Sequence, residues 1–194
     1  MRLFVGIDIE DEIRRALSVF AEGLRDAAPR ARWTAPHTFH ITLKFIGENA
    51  NQSAIATRLG TLRQPATAIT FQGAGFFPSP RAARVFWAGV EGDRRLPELA
   101  QAVDQALTAV GIAPESKPFK PHLTLARARQ SSGNPHQQAK HSENVFLGLQ
   151  QRLGAAPQPW FGTMQAREFF LYESRLSPSG ARYFKLERFA LTPG

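Results

Sequence analysis

Phe39-His40-Ile41-Thr42-Leu43-Lys44-Phe45 has an echo further along the chain, Pro121-His122-Leu123-Thr124-Leu125. Both read His-x-Thr-x with aliphatic residues between the polar ones. Side chains alternate faces along a strand, so His40 and Thr42 share one face while Ile41 and Leu43 take the other. His122 and Thr124 stand in the same relation to Leu123 and Leu125. Each strand therefore offers an imidazole and a hydroxyl on one side and a core stripe on the other. Two such strands lining one groove could grip and cleave a phosphate. Alternation also puts Lys44 on the face of His40. Arg127 follows Thr124 at the end of its strand, where a guanidinium could hold a phosphate bidentately.

Around these strands the chain alternates β and α patterns. Arg2 to Asp8 reads as a buried strand, and Asp8 or Asp11 could cap the helix expected from Asp11 to about Ala27, with Ile13, Leu17, Phe20, Ala21 and Leu24 in step. Arg32 to Thr34 reads as a short strand. A second helix is expected from Asn49 to Gln64. Ala68 to Phe71, Gly75 to Phe77 and Arg84 to Val90 read as strands. A third helix is expected from Arg94 to Val110, with Gly111 just past its end. Lys117 to Ala126 carries the second His strand. Gln130 to Asn144 is polar and reads as a loop, with a short helix around Val145 to Leu153. Arg167 to Tyr172 and Tyr183 to Leu191 should form a hairpin over a type I turn at Ser177-Pro178-Ser179-Gly180. No interval resembles an interdomain linker. The order predicts an α+β fold over residues 1–194: a single domain of two pseudo-symmetric lobes, a bilobal duplication whose two antiparallel or mixed sheets face a central groove with helices packed outside.

Composition narrows the function. The formal charge of +8 and a pI near 10.8 favour a polyanionic partner, nucleic acid or nucleotide. Hydrophobic residues at 43% suffice for a core. The absence of cysteine excludes disulfides, thiolate metal sites and cysteine nucleophiles. No apolar run approaches the roughly 20 residues of a membrane helix, and the N-terminus reads as a strand rather than a signal peptide. The expectation is a cytoplasmic monomer with no membrane association.

Two imidazoles can divide acid and base work at neutral pH, because each titrates near 6.5 when unperturbed. Such a role is worth about 10²–10⁴-fold in rate. Threonine hydroxyls can donate to non-bridging phosphate oxygens. Zinc is the rival use of histidine, and His37 with His40 could bind a metal. Yet no acidic residue accompanies either motif, and no helix carries paired-histidine spacing. No metal and no cofactor are expected. His136 and His141 fall in the polar loop and read as solvated. A non-catalytic RNA-end binder is the other class, with Trp33, Phe45 and Tyr172 available to stack on bases.

The chain resembles the 2H phosphoesterases, specifically the bacterial RNA 2′,3′-cyclic phosphodiesterases, also called LigT-like or 2′-5′ RNA ligase proteins. The resemblance runs through Arg2-Leu3-Phe4-Val5-Gly6-Ile7-Asp8, both His-x-Thr stretches and the tail from Leu171 to Tyr183. It implies a bilobal fold and metal-independent hydrolysis of an RNA 2′,3′-cyclic phosphate end to a 2′-phosphomonoester. It places His40 where the leaving 3′-oxygen is protonated and His122 where water is activated. Thr42, Thr124 and Arg127 match phosphate-holding positions. A 2′-5′ RNA ligase activity in the same groove is the alternative the resemblance carries. His37 and the length of the 130–144 segment depart from the usual pattern.

Overall fold

A computed structural model describes residues 2–48, 50–128, 144–154, 156–177 and 180–193. Among them the strands form two antiparallel sheets. The first has the order β3-β1-β8-β9, from β1 (Arg2–Asp8), β3 (His40–Glu48), β8 (Glu168–Ser177) and β9 (Gly180–Ala190). The second has the order β2-β6-β5-β4-β7, from β2 (Arg32–Trp33), β4 (Thr67–Phe77), β5 (Val85–Gly92), β6 (His122–Arg127) and β7 (Trp160–Ala166). This is the expected α+β architecture. The sheets are antiparallel rather than mixed; a lone parallel bridge joins Pro65 and Thr192.

Alternation explains how β1 serves two environments. Leu3, Val5 and Ile7 join the main core, while Phe4 packs on the reverse face with Phe170 and Tyr172. The main core is one contiguous buried cluster drawing on both sheets, with Ile41 and Leu43 from β3 and Phe86, Leu123 and Leu125 from the second sheet. Helices cover it. α1 (Asp11–Glu22) inserts Ile13, Leu17 and Ala21 and lies against β7. α3 (Arg95–Thr108) inserts Leu96, Leu99, Val103 and Leu107 and lies against β3 and α2 (Gln52–Leu59). α4 (Leu147–Gly154) buries Leu149.

Several boundaries differ from expectation. Neither Asp8 nor Asp11 caps α1; Glu10 is its N-cap, without a side-chain bond. The helix ends at Glu22, and a 3₁₀ turn at Arg25–Ala27 finishes the descent. α2 begins late because the Asn51 side chain caps it, accepting from the Ala54 N–H at 3.1 Å. The two short strands expected at 68–77 are one strand, β4, kinked by a register shift between Phe71 and Ala74. The second His strand starts at His122, not Lys117. β7 has no counterpart in the sequence reading: Gly162, at φ 127°, interrupts its alternation of buried Phe161, Met164 and Ala166. The β8–β9 hairpin forms as expected. The turn at Pro178-Ser179 and the 130–143 part of the polar loop, with His136 and His141, lie outside the described residues.

Candidate active site

The two His-x-Thr strands adopt one local geometry twice. In β3, Gly6 pairs with Thr42 and Val5 with Lys44, which leaves Leu43 without a partner. In β6, Trp87 pairs with Thr124 and Phe86 with Ala126, which leaves Leu125 without a partner. A bulge of this kind adds one residue and reverses the faces beyond it. Both strands consequently show the same run: half-buried His and Thr, three buried residues at x, x and the position after, then an exposed residue.

This reversal corrects one expectation and explains another. Lys44 does not share the face of His40. The bulge turns it to the opposite side, where only 4% of it is exposed and its ammonium pairs with Asp104 at 2.6 Å. By the same reversal Arg127, an odd number of residues beyond Thr124, returns to the Thr124 side and donates to its hydroxyl at 3.4 Å. Phe45 is the matching residue of the first strand and is 62% exposed.

Both histidines are oriented alike. His40 Nδ1 lies 2.7 Å from the Thr38 carbonyl oxygen, and His122 Nδ1 lies 2.7 Å from the Lys120 carbonyl oxygen. A carbonyl only accepts, so each Nδ1 carries the proton and Nε2 is left for chemistry. Nε2 of His40 is 3.0 Å from the Thr42 hydroxyl. Aromatic walls hold the rings. Phe4 lies 4.7 Å from the His40 ring and Tyr183 meets it edge-on at 5.1 Å. Phe77 meets the His122 ring edge-on at 4.9 Å. Gly6 leaves room for His40, since a Cβ there would stand 3.3 Å from its Cδ2.

The electrostatics favour neutral imidazoles. Burial pushes His40 down to about 4, opposed in part by the Thr38 carbonyl and by Asp8, while the charges of Arg127 and His122 push the same way as burial. Burial also lowers His122, and Arg127 adds to this. β3 packs against β6, and the charges of His122 and Arg127 are felt at His40, so the two motifs stand side by side. Burial would raise Asp8, but Lys185 at 2.5 Å and Arg14 at 2.6 Å hold it low. A cleft of about 440 Å³ opens beside His40, walled by Asp8, His37, Tyr183, Phe184 and Lys185 among others. Burial raises both tyrosine hydroxyls of the site, Tyr172 and Tyr183.

Other expected contributors fall elsewhere. Trp33 packs edge-on against Phe86 at 6.1 Å and donates its indole N–H to the Ala28 carbonyl, so it is core rather than a base platform. Tyr172 is 5% exposed and stacked beneath Phe4 at 4.8 Å. Among the described residues no cluster of three metal-binding side chains occurs. Sequence reasoning passed over Arg14, whose guanidinium donates to Asp8 and to the carbonyls of Ile9, Pro36 and Phe39. It thereby ties the end of β1 to the residues just before His40. It reads as an outward helix residue because its long-range partners leave no periodic trace.

Two antiparallel sheets, each contributing a His-x-Thr strand to one site, are the architecture of a 2H phosphoesterase. The chain belongs to the LigT like phosphoesterase family, whose model matches residues 7–87 and 90–183. It is 32% identical to the RNA 2′,3′-cyclic phosphodiesterase of Archaeoglobus fulgidus, over 97% of this chain and 99% of that one. It is 30% identical to the Escherichia coli protein of the same name, over 98% and 97%. The solved structure of E. coli LigT complexed with 3′-AMP superposes with a TM-score of 0.76 at 29% identity, covering 98% of both chains.

Proposed function

We propose that this protein is an RNA 2′,3′-cyclic phosphodiesterase that opens a terminal cyclic phosphate to a 2′-phosphomonoester. Water oxygen forms a bond to phosphorus as the bond to the 3′-oxygen breaks; one proton leaves the water and another reaches the 3′-oxygen. His122, neutral, takes the first through Nε2; His40, protonated on both nitrogens once the bound phosphate anion favours its charged form, gives the second through Nε2. Thr42, Thr124 and Arg127 hold the non-bridging oxygens. The observation that carries this reading is the repeated geometry: the bulge and the back-bonded Nδ1 occur in both strands, and this leaves Nε2 as the nitrogen that moves a proton in each. Full-length relatives named for this activity support it.

A single domain of two pseudo-symmetric lobes fits the same duplication, since β1 and β3, joined through α1 and the short β2, pair in the same register as β5 and β6, joined through α3. The reading takes the protein as a cytoplasmic monomer, consistent with a chain lacking cysteine and with no helix, among the described residues, long and apolar enough to cross a membrane. The test is product analysis on a dinucleotide ending in a 2′,3′-cyclic phosphate. A 2′-phosphate product is expected. A 3′-phosphate product would reverse the leaving group, and no turnover would leave a binder. Joining of paired tRNA halves, assayed in parallel, would point to the ligase.

A further inference from the structure

Arg32 and Arg127 are directly opposed in the β2–β6 ladder. Opposed residues point to the same side of a sheet with Cβ atoms about 5 Å apart. Arg127 stands beside Thr124 on the site face, so the register puts Arg32 there as well. Two further observations agree. Both guanidinium charges act on Tyr183, the ring that meets His40 edge-on. A nitrogen of Arg32 also lies 3.8 Å from where a Cβ on Gly180 would stand, at the start of β9. Both arginines are exposed, and among the described residues neither is paired with a carboxylate. Like charges directly opposed destabilise a ladder, and a bound anion offsets that cost.

A cyclic phosphodiester carries a single negative charge, which Arg127 and Thr124 already meet if the activity proposed above is right. The second guanidinium exceeds that need. Resting on that reading, we propose that Arg32 binds the phosphodiester on the 5′ side of the terminal nucleotide. The substrate class is then an RNA chain with a cyclic end, in preference to a mononucleoside cyclic phosphate.

The experiment compares kcat/KM of the full chain on adenosine 2′,3′-cyclic phosphate and on a diadenosine dinucleotide ending in the same group. The wild type should favour the dinucleotide. Arg32→Gln should lose about tenfold more on the dinucleotide than on the mononucleotide, mainly through KM, and Arg32→Lys should recover part of the difference. Added salt should erode the wild-type preference more than that of Arg32→Gln. Equal wild-type efficiency on the two substrates overturns the inference, as does a loss in Arg32→Gln that is the same on both. Thermal melts separate either result from unfolding. A wild type inactive on both substrates defeats the activity itself, and this inference with it; activity without chain preference defeats this inference alone.

Discussion

The Lys44 ammonium lies 2.6 Å from an Asp104 carboxylate oxygen and 2.7 Å from the Ala113 carbonyl oxygen, although Lys44 belongs to the strand that carries His40. The same Asp104 oxygen accepts the Glu115 N–H at 3.0 Å. One buried ion pair thus joins β3 to α3 and to the segment that leads toward His122. Removing one member of a buried pair is costly because the other charge stays inside, on the order of 3–5 kcal/mol. Here the two members are unequal: the lysine side chain is 4% exposed and the aspartate 24%. Asp104→Ala should therefore fall in that range, while Lys44→Met should cost less, because the stranded carboxylate can reach water. Urea unfolding of the two variants decides this; a larger loss in Lys44→Met would contradict it.

Replacing His40 or His122 by Ala should each lower kcat by about 10²–10⁴-fold with the thermal midpoint little changed, since in the proposed reaction each imidazole has a proton to move and neither fills the main core. Combining the two should cost little more than either alone, because they act as a unit. Steady-state rates on a cyclic dinucleotide, beside thermal melts, measure this. A single variant retaining near-full rate would remove that histidine from the chemistry.

The His-x-Thr strands were legible because strand alternation is local: a period of two and a polar pair suffice. Lys44 was misplaced by the same rule, because a bulge reverses faces and only the partner strand reveals it. Arg127 was rightly placed near Thr124, yet strict alternation would have sent it to the core; the bulge after Leu125 is what returns it. Arg32 lay in a strand correctly read, but its role depends on standing opposite Arg127, and pairing between distant segments leaves no mark on either. β7 escaped notice because Gly162 breaks its pattern. The helices were found by their apolar stripes, while their ends were set by Asn51 and by the turn at Gly23, which the stripe does not register.

Acid should destabilise the fold through His40. The unfolded chain titrates near 6.5 and the folded one near 4, so between these values the unfolded chain holds more protons. Stability is then fully present above about pH 6.5 and is lost as pH falls toward 4, by up to about 3 kcal/mol. His122, lowered for the same reason, adds in the same direction. Urea midpoints at pH 7 and pH 4.5 should differ more for the wild type than for His40→Asn; equal differences would refute the burial argument.

Activity should follow a bell in pH whose limbs belong to the pair rather than to either ring. In kcat/KM, which reports the free protein, the acid limb should fall below 6.5. In kcat both limbs should move upward, because a bound phosphate anion favours the charged imidazole. Profiles on a cyclic dinucleotide from pH 4 to pH 9 read both. Limbs that coincide in kcat and kcat/KM would mean that the anion does not bind beside the histidines.

Turnover should survive EDTA. Proton transfer by two imidazoles and charge stabilisation by Arg127 and two hydroxyls account for the reaction proposed, and the described residues contain no cluster of metal-binding side chains. Assays before and after dialysis against EDTA test this, and a loss reversed by added zinc would bring His37 and the segment holding His136 and His141 back into consideration.

Gly6 tests whether the spacing of β1 and β3 governs His40. A Cβ at Gly6 would stand 2.8 Å from the Ile41 carbonyl oxygen, a backbone atom that cannot swing aside, and 3.3 Å from His40 Cδ2. Gly6→Ala must therefore push β3 away from β1 at the pair Gly6–Thr42, moving His40 and Thr42 together. A displacement near 1 Å costs about 10²-fold when reacting groups are held at contact distance. The loss should fall on kcat more than on KM, because Arg127 and Thr124 sit on the other sheet. Gly154→Ala, where nothing lies within 4 Å of the added carbon, should leave both constants unchanged. Wild-type kcat in Gly6→Ala would show that the His40 strand tolerates a shift, and that its registry with β1 does not set the rate.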